Sequence, residues 1–312
     1  MITVEGLTHY YGDRRAVEGL TFSIQENEII GVLGLNGAGK STTLKVLAGL
    51  LIPTAGTIKI DGVDLASASA EFRSRIGYLP EDPPLYKEMT VTEFLMYVGQ
   101  LKGRSARDVA ARLPEVLRTC QIEHVANRVI GELSHGYKKR VGIAQAIIHQ
   151  PRVVILDEPI SGLDPKQIVE MRQVVRSLGK SCTVLISSHI LTEVSETCDR
   201  VLMLAGGRIV AEGLESDLAE AATAKAGVRV TMVLRGDRAT VEGALRSVSA
   251  VTSSEFAEDT HGFLKVRISL SQDARESLVA ALVTAGVGVR RMVEEEAELE
   301  NIFLGLTKGA TA

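Results

Sequence analysis

Residues 28–51, EIIGVLGLNGAGKSTTLKVLAGLL, constrain this chain more than any other stretch. A short apolar run rich in β-branched residues leads into a glycine-rich segment. Beyond it Leu44, Val46, Leu47 and Leu50 recur at helical spacing, so the order is strand, loop, helix. The loop, GLNGAGKS at 34–41, fits the pattern Gly, four residues, Gly, Lys, Ser or Thr. Backbone N–H groups along Gly34, Leu35, Asn36, Gly37, Ala38 and Gly39, and at the helix start in Ser41 and Thr42, can surround a polyphosphate. Lys40 can reach the β and γ phosphates, and the Ser41 hydroxyl can ligate Mg²⁺.

Such a loop needs an acid nearby to hold the metal's water shell, and VVILDEP at 153–159 supplies one. Its continuous apolar run is expected of a central parallel strand covered on both faces. Asp157 at its end is the metal-side candidate. Glu158 is the candidate to accept or orient a proton of the attacking water, because γ-phosphate hydrolysis depends mainly on positioning and charge stabilisation.

These two segments sit in an α/β pattern. ITVEGL, GLTFSI and EIIGVLG read as strands of a small sheet, and Asp61-Gly62 within GTIKIDGVDL closes a further hairpin. From about 89 to 150 helical spacing dominates, which predicts a mostly helical insertion. Asp164 is placed to cap a helix with Pro165 in its first turn. Ile168, Met171, Val174, Val175 and Leu178 form its buried stripe, and Gly179 ends it. TVLISSH is a second buried strand, and DRVLMLAGGRIVAEG adds two more around Gly206-Gly207. After about residue 222 the pattern restarts as β, α, β, β, α, β, the ferredoxin-like order, followed by a short amphipathic helix in ELENIFLGLT. The 312 residues thus divide into 1–222 and 223–312, close to the expectation of about 150 residues per domain.

Composition excludes several classes. With 35 Lys and Arg against 39 Asp and Glu, the net charge of −4 argues against a strongly cationic nucleic-acid binder. An apolar share of 45% is ordinary for chains with real cores, not for disordered ones. No apolar stretch is long enough to span a membrane, and the N-terminus lacks signal-peptide character, so a cytoplasmic chain is expected. Cys120, Cys182 and Cys198 are too few and too far apart for a disulfide framework or a CxxC metal site.

One further segment carries a resemblance. LSHGYKKR at 133–140 follows the phosphate loop, with Ser134 standing 23 positions before Asp157. SGLD follows at 161–164, and His189 ends TVLISSH. In order and spacing, residues 2 to about 222 resemble an ABC-type ATPase subunit. The resemblance implies a P-loop fold with a mixed central sheet, an antiparallel β subdomain and a helical insertion. It implies that Tyr11 stacks on adenine, that Glu81 stands where the family has a metal-coordinating glutamine, and that His189 is the switch histidine. It also implies that Ser134 and Gly136, at a helix start, grip the γ-phosphate held by a second copy of the chain, and that Asp164 communicates between the two sites. Cofactors would be ATP and Mg²⁺, and the catalytic pair Glu158 and His189. Three positions depart from the family pattern: Glu81 for glutamine, and His135 and Tyr137 in the signature. Glutamate retains a coordinating oxygen, so activity is expected to survive.

YLPE followed by DPPLYKEMTV, and the C-terminal LENIFLGLT, resemble exporter ATPases whose permease is a separate membrane chain, nearest the gliding-motility and multidrug export group. The implied function is an ATP-hydrolysing motor that closes as an ATP-sandwich homodimer beneath a membrane permease, peripheral on the inner face of the membrane. No nucleic-acid partner is expected. The alternative is a soluble mechanical ATPase acting on ribosomes or DNA, whose relatives usually carry two ATPase units or long coiled-coil insertions, neither of which is present here.

Overall fold

Alternation of buried and solvent-facing residues organises the first strands of the chain. The computed structural model describes residues 1–190, 193–194, 196–214, 228–258 and 263–295, and contacts divide the chain into two units, Met1–Glu215 and Ser216–Ala312. In the first unit, β1 (Ile2–Tyr11) pairs antiparallel with β2 (Arg14–Ile24) and with β4 (Ala55–Ile60), and β5 (Val63–Asp64) completes a four-stranded sheet. Asp61 and Gly62 both have positive φ, 48° and 79°, as a tight hairpin turn requires.

β3 (Ile29–Leu33) does not join that sheet, although the sequence places it with its predecessors. It lies inside a six-stranded sheet of order β10-β9-β3-β8-β7-β6, built with β6 (Ile76–Leu79), β7 (Val153–Leu156), β8 (Thr183–Ser188), β9 (Arg200–Ala205) and β10 (Arg208–Gly213). All neighbours are parallel except β10, which returns antiparallel on β9. The physical reason is burial: all five residues of β3 are buried, whereas β1 and β2 alternate, and only a central strand is covered on both faces. Val153 and Ile155 enter the core formed with β1, β2 and α1 (Lys40–Leu47), while Val154 and Leu156 enter the core beneath the helices.

The region 89–150 is helical as expected, with α3 (Val91–Leu101), α4 (Ala106–Thr119) and α5 (His135–Ile147), preceded by a short α2 (Ser69–Ser74) that the sequence reading does not anticipate. Thr90 and Glu93 form a reciprocal capping box at the start of α3. α6 (Pro165–Gly179) starts on an Asp164 cap, whose carboxylate accepts from the Gln167 amide at 2.9 Å. It buries Met171, Val174, Val175, Leu178 and Gly179.

In the second unit, β11 (Val228–Arg235), α7 (Arg238–Arg246), β12 (Val251–Glu258), β13 (Leu264–Leu270), α8 (Arg275–Thr284) and β14 (Gly288–Glu295) form an antiparallel sheet of order β12-β13-β11-β14. With helices after the first and third strands this is the ferredoxin-like arrangement. Val230, Met232, Leu234, Val266, Ile268, Leu278 and Leu282 fill its core. The residues around 222 and the segment ELENIFLGLT lie outside the described residues. All three cysteines are free, and burial pushes the Cys182 thiol up to about 11.

Candidate nucleotide site

The carboxyl ends of four adjacent parallel strands, in the order β3, β8, β7, β6, bring the chemistry together. In open α/β sheets this edge is where ligands bind, since the loops leaving it converge. The phosphate loop leaves β3, His189 follows β8, Asp157 and Glu158 follow β7, and Glu81 follows β6. A cleft of about 440 Å³ is lined by Tyr11, Arg14, Arg15 and residues of the phosphate loop, together with Glu81, Glu158, Ser161 and His189. That volume is in the range of small-molecule sites.

Local backbone geometry explains the glycines. Gly39 has φ 103°, and a Cβ there would meet the Ala16 carbonyl oxygen at 2.8 Å. A Cβ on Gly34 would stand 2.6 Å from the Leu204 carbonyl oxygen. At Gly39 the backbone is closely packed as well as left-handed, and only glycine satisfies both demands. Lys40, Ser41 and Thr42, the first turn of α1, line the cleft. Lys40, 6% exposed, folds back over the loop and donates to the Gly34 carbonyl at 2.7 Å, with Glu158 Oε1 at 3.5 Å.

Asp157 and Glu158 are both buried but differently employed. Ser41 Oγ donates to Asp157 Oδ1 at 3.3 Å, and Ser187 Oγ donates to the same oxygen at 2.6 Å. Ser187 also accepts from the Glu158 amide at 2.9 Å. Glu158 has φ 49°, an uncommon conformation for a residue with a Cβ that calls for support from its surroundings. Its Oε2 lies 3.0 Å from His189 Nδ1. The partly exposed imidazole therefore faces the carboxylate at the cleft mouth.

Two residues of this network are missed by the sequence reading. Ser187 stands two positions before His189, so in an extended chain both side chains share a face, which is the signal that could have found it. Lys139, 2% exposed, donates to the Glu81 carbonyl at 2.7 Å and to the Glu158 carbonyl at 3.0 Å. Burial holds its ammonium below the ordinary lysine range, against the opposing pull of Glu81, Asp82, Glu158 and Asp157.

Of the other candidates in the same unit, Tyr11, Ser134 and Asp164 are exposed and Gly136 is buried. Tyr11 is 47% exposed and meets His9 edge-on at 4.8 Å between ring centroids. Ser134 caps α5 by accepting from the Tyr137 amide at 3.5 Å. Gly136 packs against α6, where a Cβ would stand 2.4 Å from Gln167 Oε1. Tyr137 Oη is 2.9 Å from His124 Nε2. Ser134, Gly136 and Asp164 do not line the cleft.

Ser41, Asp157 and Glu81 offer a hydroxyl and two carboxylates, the hard oxygen donors that suit Mg²⁺. Among the described residues no group of three or more His, Cys, Asp and Glu side chains is arranged to hold a metal.

Comparison with known proteins agrees with this geometry. The ABC transporter family model matches residues 17–161. An uncharacterised ABC transporter ATP-binding protein, YxlF, from Bacillus subtilis is 34% identical over 97% of this chain and 98% of its own length. The Nod factor export ATP-binding protein I of Burkholderia lata is 37% identical over 95% and 93%. The dimeric structure of a post-hydrolysis state of the ATP-binding cassette MJ0796, bound to ADP and Pi, superposes with a TM-score of 0.62. It is 25% identical and covers 69% of this chain and 98% of that one. The chain belongs to the family of ABC transporter ATP-binding proteins.

Proposed function

We propose that this chain is the ATP-hydrolysing motor of an exporter whose membrane permease is a separate polypeptide. The observation that carries the reading is the convergence of Lys40, Ser41, Asp157, Glu158 and His189 at one edge of the parallel sheet. Among the described residues no helix is long and apolar enough to cross a membrane, so a transport path would belong to another chain. The export relative and the dimeric cassette support the direction and the assembly.

In this reading the phosphate-loop amides and Lys40 hold the polyphosphate, Tyr11 stacks on adenine, and Ser41, Asp157 and Glu81 hold Mg²⁺. The metal, when bound, neutralises charge developing on the transferred phosphoryl group. Glu158 accepts or orients a proton of a water whose oxygen attacks the γ-phosphorus. The bond to the bridging oxygen breaks, leaving ADP and phosphate. His189 holds the Glu158 carboxylate and faces the same space. Ser134 and Gly136, at the N-terminus of α5, complete the site of a second copy, and Asp164 lies on the path between the two sites. Residues 1–222 form the ATPase domain and 223–312 an accessory domain. Exposed Tyr86, on the loop after β6, and exposed Tyr97, on α3, with ring centroids 5.7 Å apart, mark the face for the permease's cytoplasmic helix.

The test is a tagged Glu158→Gln chain purified with ATP from detergent-solubilised membranes. Co-purification of a polytopic membrane protein is expected. Ribosomal or DNA-associated partners with no membrane protein would replace the exporter reading with a soluble mechanical ATPase.

A further inference from the structure

Lys139 occupies a costly position. A fully buried ammonium must recover its lost hydration, and its hydrogen-bond partners among the described residues are two backbone carbonyls, not carboxylates. An apolar side chain of similar length would fill the same space without that cost. The two carbonyls belong to Glu81, on the loop after β6, and Glu158, on the turn after β7. The Glu158 peptide is thus held from both sides. Ser187 takes its N–H and Lys139 its carbonyl, and between them lies the left-handed backbone that aims the carboxylate at His189.

The stem of this lysine rises from α5, which is pressed against the same loops. A Cβ on Gly142 would stand 2.5 Å from Leu79 Cδ1 and 2.9 Å from Pro83 Cβ. One helix therefore carries Ser134 and Gly136 at its first turn and, one turn further on, the cation that fixes the acid of its own chain.

We propose that Lys139 is a positioning residue for Glu158. It ties the strained acid turn to the Glu81 loop and to α5, so that displacement of either element moves the Glu158 carboxylate. This rests on the reading of Glu158 as the group that takes or orients the water proton. It goes beyond that reading by giving the helix with the second copy's contact residues a direct hold on its own hydrolytic site.

The experiment compares the full chain with Lys139→Met, which keeps the bulk and removes the donors, Lys139→Arg, which keeps donors, and Glu158→Gln as the reference. Steady-state Mg-ATP hydrolysis is measured beside the affinity for a fluorescent ATP analogue. Misplacement of a catalytic group on the ångström scale costs up to about 100-fold, so Lys139→Met is expected to lower kcat by about 10- to 100-fold. Its KM and nucleotide affinity should stay within about threefold of wild type, and Lys139→Arg should recover most of kcat. Wild-type kcat in Lys139→Met with an inactive Glu158→Gln chain overturns the proposal and leaves the base assignment standing. Parallel loss of affinity, kcat and thermal stability in both the Met and Arg variants also overturns it, since that is a packing effect. If the Met variant does not fold, Lys139→Gln, a shorter neutral donor, is read by the same split: lowered kcat at retained affinity supports the proposal, and unchanged kcat or joint loss overturns it. Wild-type turnover in Glu158→Gln removes the base assignment and this proposal with it.

Discussion

His189 Nδ1 stands 3.0 Å from Glu158 Oε2, across the ends of the neighbouring parallel strands β8 and β7. The pair is formed within one chain, so the Glu158 carboxylate has a fixed direction before any partner arrives. Replacing His189 with Ala removes that contact and leaves the phosphate loop untouched. Turnover is expected to fall by about 100-fold with little change in nucleotide affinity, as measured by phosphate release beside equilibrium binding.

Lys40 donates to the Gly34 carbonyl from a buried position and lies 3.5 Å from Glu158 Oε1. Nucleotide phosphates would replace these contacts with charge-assisted hydrogen bonds. Lys40→Ala is therefore expected to weaken ATP binding itself by about tenfold or more, which titration of a fluorescent ATP analogue measures.

Gly39 combines φ 103° with the Ala16 carbonyl oxygen 2.8 Å from where a Cβ would sit. Gly39→Ala adds strain and a clash with a backbone atom. A loss of about 1–3 kcal/mol in stability is expected, with weakened ATP binding, as seen by urea denaturation and nucleotide titration. Gly243, near which an added Cβ meets nothing within 4 Å, is the control, and Gly243→Ala should cost nothing measurable.

His149 is 2% exposed, with Nε2 3.0 Å from the Ile76 carbonyl and Nδ1 buried without a partner. Burial, helped by Lys102, pulls its pKa down to about 4. The folded chain therefore holds the neutral ring, and the unfolded chain binds one more proton between about pH 6.5 and about pH 4. Stability is present above that window and lost as pH falls through it, by about 2 kcal/mol at pH 5 relative to neutral pH. Denaturation midpoints of wild type and His149→Gln across this range should converge as the pH falls.

The nucleotide edge was readable because its chemistry is local. GLNGAGKS, Asp157-Glu158 and His189 each follow a strand, and parallel strands deliver their ends to one edge. Asp164 and α6 were equally plain, since cap, proline, apolar stripe and terminal glycine fall within one segment. What local pattern does not carry is partnership across the fold. β3 looks like the strands before it but pairs with β8 and β9, more than 150 residues away. Lys139 reads as one of a basic run in 138–140, and only the docking of α5 onto the loops after β6 and β7 turns it inward. Ser187 likewise acquires its role from Asp157 and Glu158 on the adjacent strand.

The central claim, that Glu158 serves hydrolysis and not nucleotide binding, is tested most directly with purified Glu158→Gln chain and Mg-ATP, following phosphate release and sedimentation together. The expected result is a fall in turnover of at least about 100-fold with ATP retained and a stable two-chain assembly that the hydrolysing wild type does not accumulate. Phosphate release at the wild-type rate would contradict it.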